Sequence, residues 1–236
     1  MIENRFRWGD PNILKNQDQR LADSGKISSA DHLPVYEEGS IYARTFPQYL
    51  EILRHNGAPD IFTGAETIMD AGCGGIMPLV GMRETFGSGK ILRGFDIIDV
   101  PHLKIKRLHS DIPVSGSTLL HRYQIEFNQG TYLHIGTTIP GGYDALVAIP
   151  SFNVHDWESS YPLEVLLTFY HGLNPKGMVQ TLIEIPNDMF QIMKECNTYY
   201  GIPFQFADGN PEILRRNALY PRGSLARLGT LTMGPK

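Results

Sequence analysis

Residues 67–75, Thr-Ile-Met-Asp-Ala-Gly-Cys-Gly-Gly, constrain the fold more than any other stretch of the chain. Thr67, Ile68 and Met69 suit a strand buried within a parallel sheet. Asp70 ends that strand with a carboxylate. Gly72 and Gly74 then let the backbone reverse and approach a ligand with no β-carbon in the way. Pro78 is a favourable first-turn residue for a helix, whose open amides are expected to face whatever rests on the glycines. Gly87 and Gly89 end the helix, and a second strand, 91–96, closes on Asp96. Such a unit places a tight turn, a helix start and two acids around one small space, which suits an adenosine-like ligand.

The same alternation continues. Apolar positions Tyr42, Phe46, Tyr49, Leu50 and Leu53 recur at three- and four-residue spacing, which predicts a helix over 41–55 before the first strand. After Asp96 the pattern predicts at most a brief helix over 100–111, interrupted by Pro101. Residues 124–127 and 131–135 read as two short strands joined at Asn128-Gln129-Gly130, a hairpin insertion within 114–136. Then come a strand over 145–149, a helix over 162–173, a turn at Asn174-Pro175-Lys176-Gly177, a strand over 178–183 and a helix over 188–200. Two β segments, about 204–206 and 225–233, close the chain. The expected fold is α/β, a Rossmann-like, doubly wound, mostly parallel sheet with one antiparallel edge strand and an N-terminal helical cap.

Composition narrows the setting. An apolar content of 42% over 236 residues supplies a sizeable core, and the net charge of −4 gives no global basic field for nucleic acid or an anionic membrane. Two cysteines, Cys73 and Cys196, argue against a disulfide scaffold. Glu3, Arg5, Arg7 and Asp10 leave no apolar core for a signal peptide, and no apolar run reaches the roughly 18 residues of a membrane span. The expected location is cytoplasmic. No feature of the sequence fixes an oligomeric state.

Four segments together resemble the class I S-adenosylmethionine-dependent methyltransferases. Asp70-Ala-Gly72-Cys-Gly74-Gly75 resembles the family's first motif, an acid at a strand end before a glycine turn. Gly94-Phe-Asp96-Ile resembles the end of its second strand, where an acid takes both ribose hydroxyls. Residues 143–155 resemble the fourth strand and the loop over the reaction centre, and residues 173–179 the turn before the fifth strand. The resemblance covers about 66–184 and implies S-adenosyl-L-methionine as cofactor, held by Asp70, Gly72, Gly74 and Asp96, with Asp111 meeting the adenine amino group. It also implies a cap or lid over 1–60 and a methyltransferase-like domain over 61–236. Two departures stand out: Ile76 occupies a position where the family often has a third glycine, and the connection from Asp96 to Asp111 is short for a helix.

Methyl transfer to an oxygen or nitrogen of a small-molecule acceptor is the activity this implies. His155, on the loop after the fourth strand, is the candidate to remove the acceptor's proton, with Ser151, Asn153 and Trp157 as candidate pocket walls. The bland alternatives are a carboxylate capping its own turn and a histidine packed on its own loop. The remaining histidines lack ligand spacing for a metal, and most basic clusters, such as Arg215, Arg216, Arg222 and Arg227, are solvated surface. A catalytically inactive protein of the same fold, binding a partner or sensing the cofactor, is the competing reading. An NAD-dependent oxidoreductase also suits Gly72-x-Gly74, but Met77 stands where its fingerprint needs glycine or alanine, and Asp70 would repel the pyrophosphate.

Overall fold

The computed structural model describes residues 35–40, 42–54, 58–135, 141–149, 161–186, 201–217 and 226–236. In chain order its elements are β1 (Val35–Glu37), α1 (Phe46–Arg54), β2 (Thr67–Ala71), α2 (Met77–Phe86), β3 (Ile91–Asp96), β4 (Lys104–Lys106), β5 (Val114–Ser115), α3 (Gly116–Arg122), β6 (Ile125–Gln129), β7 (Tyr143–Ala148), α4 (Tyr161–His171), β8 (Leu173–Pro186), β9 (Phe204–Asp208), α5 (Pro211–Arg216) and β10 (Ala226–Met233).

Seven strands form one sheet in the order β6-β3-β2-β7-β8-β10-β9. From β6 to β8 all neighbours run parallel, and β10 runs antiparallel to both β8 and β9. Strand β2 lies in the middle of the five parallel strands, and all five of its residues are buried. The chain leaves β2 toward β3 and β6 on one side, then returns to place β7 and β8 on the other. The order therefore reverses at β2, and the crevice beyond the carboxyl ends of such strands is where open α/β sheets bind ligands.

Side chains alternate between the two faces of each strand. Ile68, Leu92, Ala145 and Val147 pack with Phe46, Tyr49, Ile52 and Leu53 of α1 and Leu79, Val80 and Met82 of α2. Met69, Ala71, Phe95, Leu146 and Ala148 pack on the other side with Val165, Leu166 and Phe169 of α4. The first helix thus shares one core with β2 and α2. A small second sheet, β1-β4-β5, lies between β3 and α3 in sequence apart from β1, which pairs parallel with β4.

Several expectations change. The hairpin within 114–136 does not form: β6 pairs in parallel with β3, Leu92 opposite Ile125, and becomes the sheet edge. Asn128-Gln129-Gly130 ends that strand instead of turning it, because the Gly130 amide donates to the Asp96 carbonyl at 2.9 Å. Beyond it, Tyr132–His134 is a single 3₁₀ turn whose Tyr132 ring meets Phe169 edge-on, drawing Ile135 into the core. The crossover to β6 is α3, started by Ser115, whose hydroxyl accepts the Thr118 amide. Strand β8 takes in 174–177, which the sequence presents as a turn; the pairing shifts register there, from Tyr143 opposite Leu173 to Ala145 opposite Met178. The antiparallel strand is β10, which lies one position inside the edge, with β9 outermost. The predicted helix over 188–200 lies outside the described residues.

Candidate functional site

Asp70 and Asp96 end adjacent parallel strands. Asp70 lies opposite Gly94, so Asp96 stands two residues further on and on the same face as Asp70. That face is covered by α1 and α2, and both carboxyl groups are buried, Asp70 completely. Tyr49, from the buried stripe of α1, brings its hydroxyl 3.2 and 3.4 Å from the two Asp70 oxygens and 3.0 Å from the Ile149 carbonyl just past β7. Burial drives the Asp70 carboxyl well above the usual range. The Tyr49 hydroxyl opposes the shift, and the charge of Asp96 adds to it.

Asp96 is held differently. The Gly74 amide donates to its Oδ2 at 2.7 Å and the Ile98 amide to its Oδ1 at 3.0 Å. Burial raises this carboxyl as well, against the pull of the Ile98, Gly74 and Ile97 amides. A buried acid with amide partners on both oxygens keeps its orientation and retains lone pairs for further donors.

The glycine turn between them is tied together largely from within. The Gly72 amide donates to the Phe95 carbonyl at 2.6 Å, Cys73 reaches the same carbonyl at 3.3 Å, and Ile76 reaches the Cys73 carbonyl at 2.8 Å. Gly72 and Gly74 adopt φ of 77° and 45°, in the region that glycine enters without strain. The close approach expected at Gly74 is made by the chain itself. A β-carbon there would sit 2.7 Å from the Tyr42 carbonyl oxygen, and that oxygen accepts the Gly75 amide at 2.9 Å. Ile76, in place of the third glycine, holds φ 55° and ψ 6°, a left-handed conformation, with its side chain fully buried.

A stacked aromatic pair precedes α1. The rings of Tyr36 on β1 and Tyr42 lie 5.4 Å apart and nearly parallel. Burial raises the Tyr36 hydroxyl, helped by Tyr42 and Asp96, so Tyr36 and Asp96 share one electrostatic environment. The segment is anchored from outside by Glu38, which accepts from the Arg107 guanidinium at 2.7 Å, while Arg107 also reaches the Tyr123 hydroxyl at 3.0 Å.

No protein-family model matches the sequence, and neither does any curated protein. Solved structures do. An O-methyltransferase from the trans-AT PKS multienzyme of Brevibacillus brevis, in complex with S-adenosyl-L-homocysteine, superposes with a TM-score of 0.54 at 13% identity, over 79% of this chain and 71% of that one. The fold is that of the class I S-adenosylmethionine-dependent methyltransferases. Weaker matches to the same fold include human N-acetylserotonin methyltransferase in complex with SAM (TM-score 0.45, 14% identity, 97% of this chain and 57% of that one). An O-methyltransferase family protein from Burkholderia thailandensis gives a TM-score of 0.42 at 15% identity, over 78% of this chain and 55% of that one. The chain thus spans little more than half the length of these last two.

Within this fold, Asp70, Gly72, Gly74 and Asp96 come together at the carboxyl end of the sheet. Asp111 does not join them. It is exposed in the turn between β4 and β5, because the chain builds the small sheet directly after β3, and the strand beside β3 is β6. His155, Ser151, Asn153 and Trp157 lie outside the described residues. Tyr36, Tyr42 and Tyr49 suit a cap over the substrate from their place in the sequence, but the Asp70 partner of Tyr49 and the stacking of Tyr36 on Tyr42 escape a reading by periodicity alone. For Tyr49 the available signal is a tyrosine on the core face of a helix, whose buried hydroxyl needs a partner. Among the described residues no group of three or more His, Cys, Asp or Glu side chains is placed to hold a metal ion, and no helix is long and apolar enough to cross a membrane.

Proposed function

We propose that the chain transfers a methyl group from S-adenosyl-L-methionine to an oxygen or nitrogen atom of a small-molecule acceptor. The observation that carries this reading is Asp96, buried at the carboxyl end of β3 beside the point where strand order reverses, with the Gly74 amide on one oxygen. A carboxylate so held offers its remaining lone pairs to the two hydroxyls of a ribose. Asp70, on the same face, places a second acid where the cationic part of such a ligand would lie. Two acids at adjacent strand ends suit the charge of such a cofactor, while the Tyr42 carbonyl takes up the close approach at Gly74. The Brevibacillus protein supports an oxygen acceptor, being an O-methyltransferase.

The cofactor supplies a methyl group on a sulfonium, and transfer moves it to the acceptor as the carbon–sulfur electron pair returns to sulfur. The part of this chain is to align the two partners and keep water out. The stacked rings of Tyr36 and Tyr42 are the candidates for a wall facing the sulfonium, which aromatic π faces attract. His155 is assigned the acceptor's proton from its place in the sequence after β7.

Calorimetric titration with S-adenosylhomocysteine tests the reading. The wild-type chain binds it, and Asp96→Ala loses about a hundredfold in affinity, the value of one or two hydrogen bonds to a charged group. Unchanged affinity in the variant removes the ribose assignment. The competing reading, a non-catalytic protein of this fold, draws on the Tyr42 carbonyl that lies over Gly74. Weak or absent binding of the cofactor, with no methyl transfer to any acceptor in a radiolabelled-methyl screen, would favour it.

A further inference from the structure

The Tyr49 hydroxyl carries one proton and meets three oxygens, so it cannot donate to all of them. Two lie on Asp70 at 3.2 and 3.4 Å, and the third is the Ile149 carbonyl at 3.0 Å. A carbonyl can only accept. A carboxyl group accepts when ionised and donates when protonated. Two arrangements are open to the single proton of Tyr49. With Asp70 protonated, its O–H donates to the Tyr49 oxygen and Tyr49 donates to Ile149. With Asp70 ionised, Tyr49 turns its proton to Asp70 and releases the Ile149 carbonyl.

We propose that Tyr49 is the positioning residue of this site, its proton turning from Ile149 to Asp70 when a cationic ligand draws Asp70 into its ionised form. The ligand class is a cofactor bearing an ammonium or sulfonium group, and to that extent the inference rests on the function proposed above. As the ligand's cation takes its place beside Asp70, the carboxyl proton leaves to bulk water, and no other bond is made or broken. The groups facing Asp70 act together. From α1 comes Tyr49, from β3 the like charge of Asp96, from the glycine turn the buried Cys73 thiol, and from the segment before α1 the Arg44 guanidinium near Tyr49. Arg44 itself donates to the Asn217 carbonyl at 2.9 Å. Burial and Asp96 both favour the protonated state in the empty site.

The test is the pH dependence of S-adenosylhomocysteine binding between pH 6 and 8.5, in the wild type and in Tyr49→Phe, which keeps the ring in the core. Wild-type affinity rises by about tenfold per pH unit until Asp70 ionises in the free protein, then levels. Tyr49→Phe removes the donor to ionised Asp70, so its rise moves to higher pH and binding at neutral pH is roughly tenfold weaker. Neutral 5′-methylthioadenosine, lacking both cations, shows no such rise. A Tyr49→Phe curve that lies lower throughout and levels at the same pH as wild type overturns the inference, since loss of packing alone gives that result. No binding by the wild type overturns the cofactor reading instead. Infrared spectroscopy of the ligand-free protein decides the proton's place independently of either: a neutral carboxylic acid band must be present, be moved in Tyr49→Phe and vanish in Asp70→Asn. Its absence from wild type refutes the inference whatever binds.

Discussion

Replacing Ile76 by glycine and by alanine separates backbone strain from packing at the point where the glycine turn departs from the motif it resembles. Both changes delete a fully buried side chain, and each is expected to cost about 2–5 kcal/mol for the atoms lost and the space left behind. They differ in the backbone. At φ 55° and ψ 6°, alanine keeps the left-handed strain of about 1–2 kcal/mol that glycine lacks. Glycine in turn carries more freedom in the unfolded chain, worth about 0.4–1 kcal/mol. The balance makes Ile76→Gly more stable than Ile76→Ala by about 0.5–1 kcal/mol. At an ordinary helical position that order is reversed. Urea unfolding followed by circular dichroism reads the difference as a midpoint about 0.3 M higher for the glycine variant. An alanine variant that unfolds at the same or higher urea than the glycine variant would refute the left-handed assignment and, with it, the view that this position keeps a glycine conformation without glycine.

Three further outcomes follow from other parts of the molecule. Asp70→Asn flattens the pH dependence of stability. A carboxyl raised by burial favours folding below its unfolded value and loses that contribution as pH rises through its folded value, so from mildly acidic toward neutral pH the wild type should weaken more steeply than the variant, which keeps only the raised Asp96 carboxyl; equal slopes in thermal melts across that range would contradict this. Lys90→Met should destabilise the fold by about 2–3 kcal/mol, since the ammonium donates to the carbonyls of Phe62, Thr63 and Ala65 at 2.9, 2.9 and 2.6 Å; an unchanged unfolding midpoint would show those carbonyls to be equally well served by water. Gly74→Ala meets both a φ of 45° and the Tyr42 carbonyl at 2.7 Å, so it should cost more than 1 kcal/mol and loosen the 36–43 segment, measured as faster amide exchange at Gly75.

The central unit is legible because glycine and proline mark its ends and its strands are buried on both sides. Ile91–Asp96 falls where the sequence places it, and α2 begins beside Pro78. The edge of the sheet is not legible for the converse reason. Strand β6 carries Glu126 and Asn128 on a partly open surface and ends in residues that also suit a turn. Helix α3 is too short, at seven residues, to show a period. Asp111 attracts attention as an acid soon after Asp96, yet proximity in sequence says little where the chain detours through a second sheet. The pairing of Asp70 with Tyr49 joins residues 21 positions apart, and only a helix docked on the strand reveals it. Periodicity reports that Tyr49 is inside, not what its oxygen needs.

The Tyr42 carbonyl that rests against Gly74 and Gly75 has a consequence for anyone trimming or recombining this chain. A fragment starting at β2 would leave the Gly75 amide without its acceptor and Asp70 without its only side-chain donor among the described residues, and would bare the apolar side of the central strands that α1 covers. Transplanting the glycine turn without residues 42–54 would carry over its letters and leave part of its frame behind.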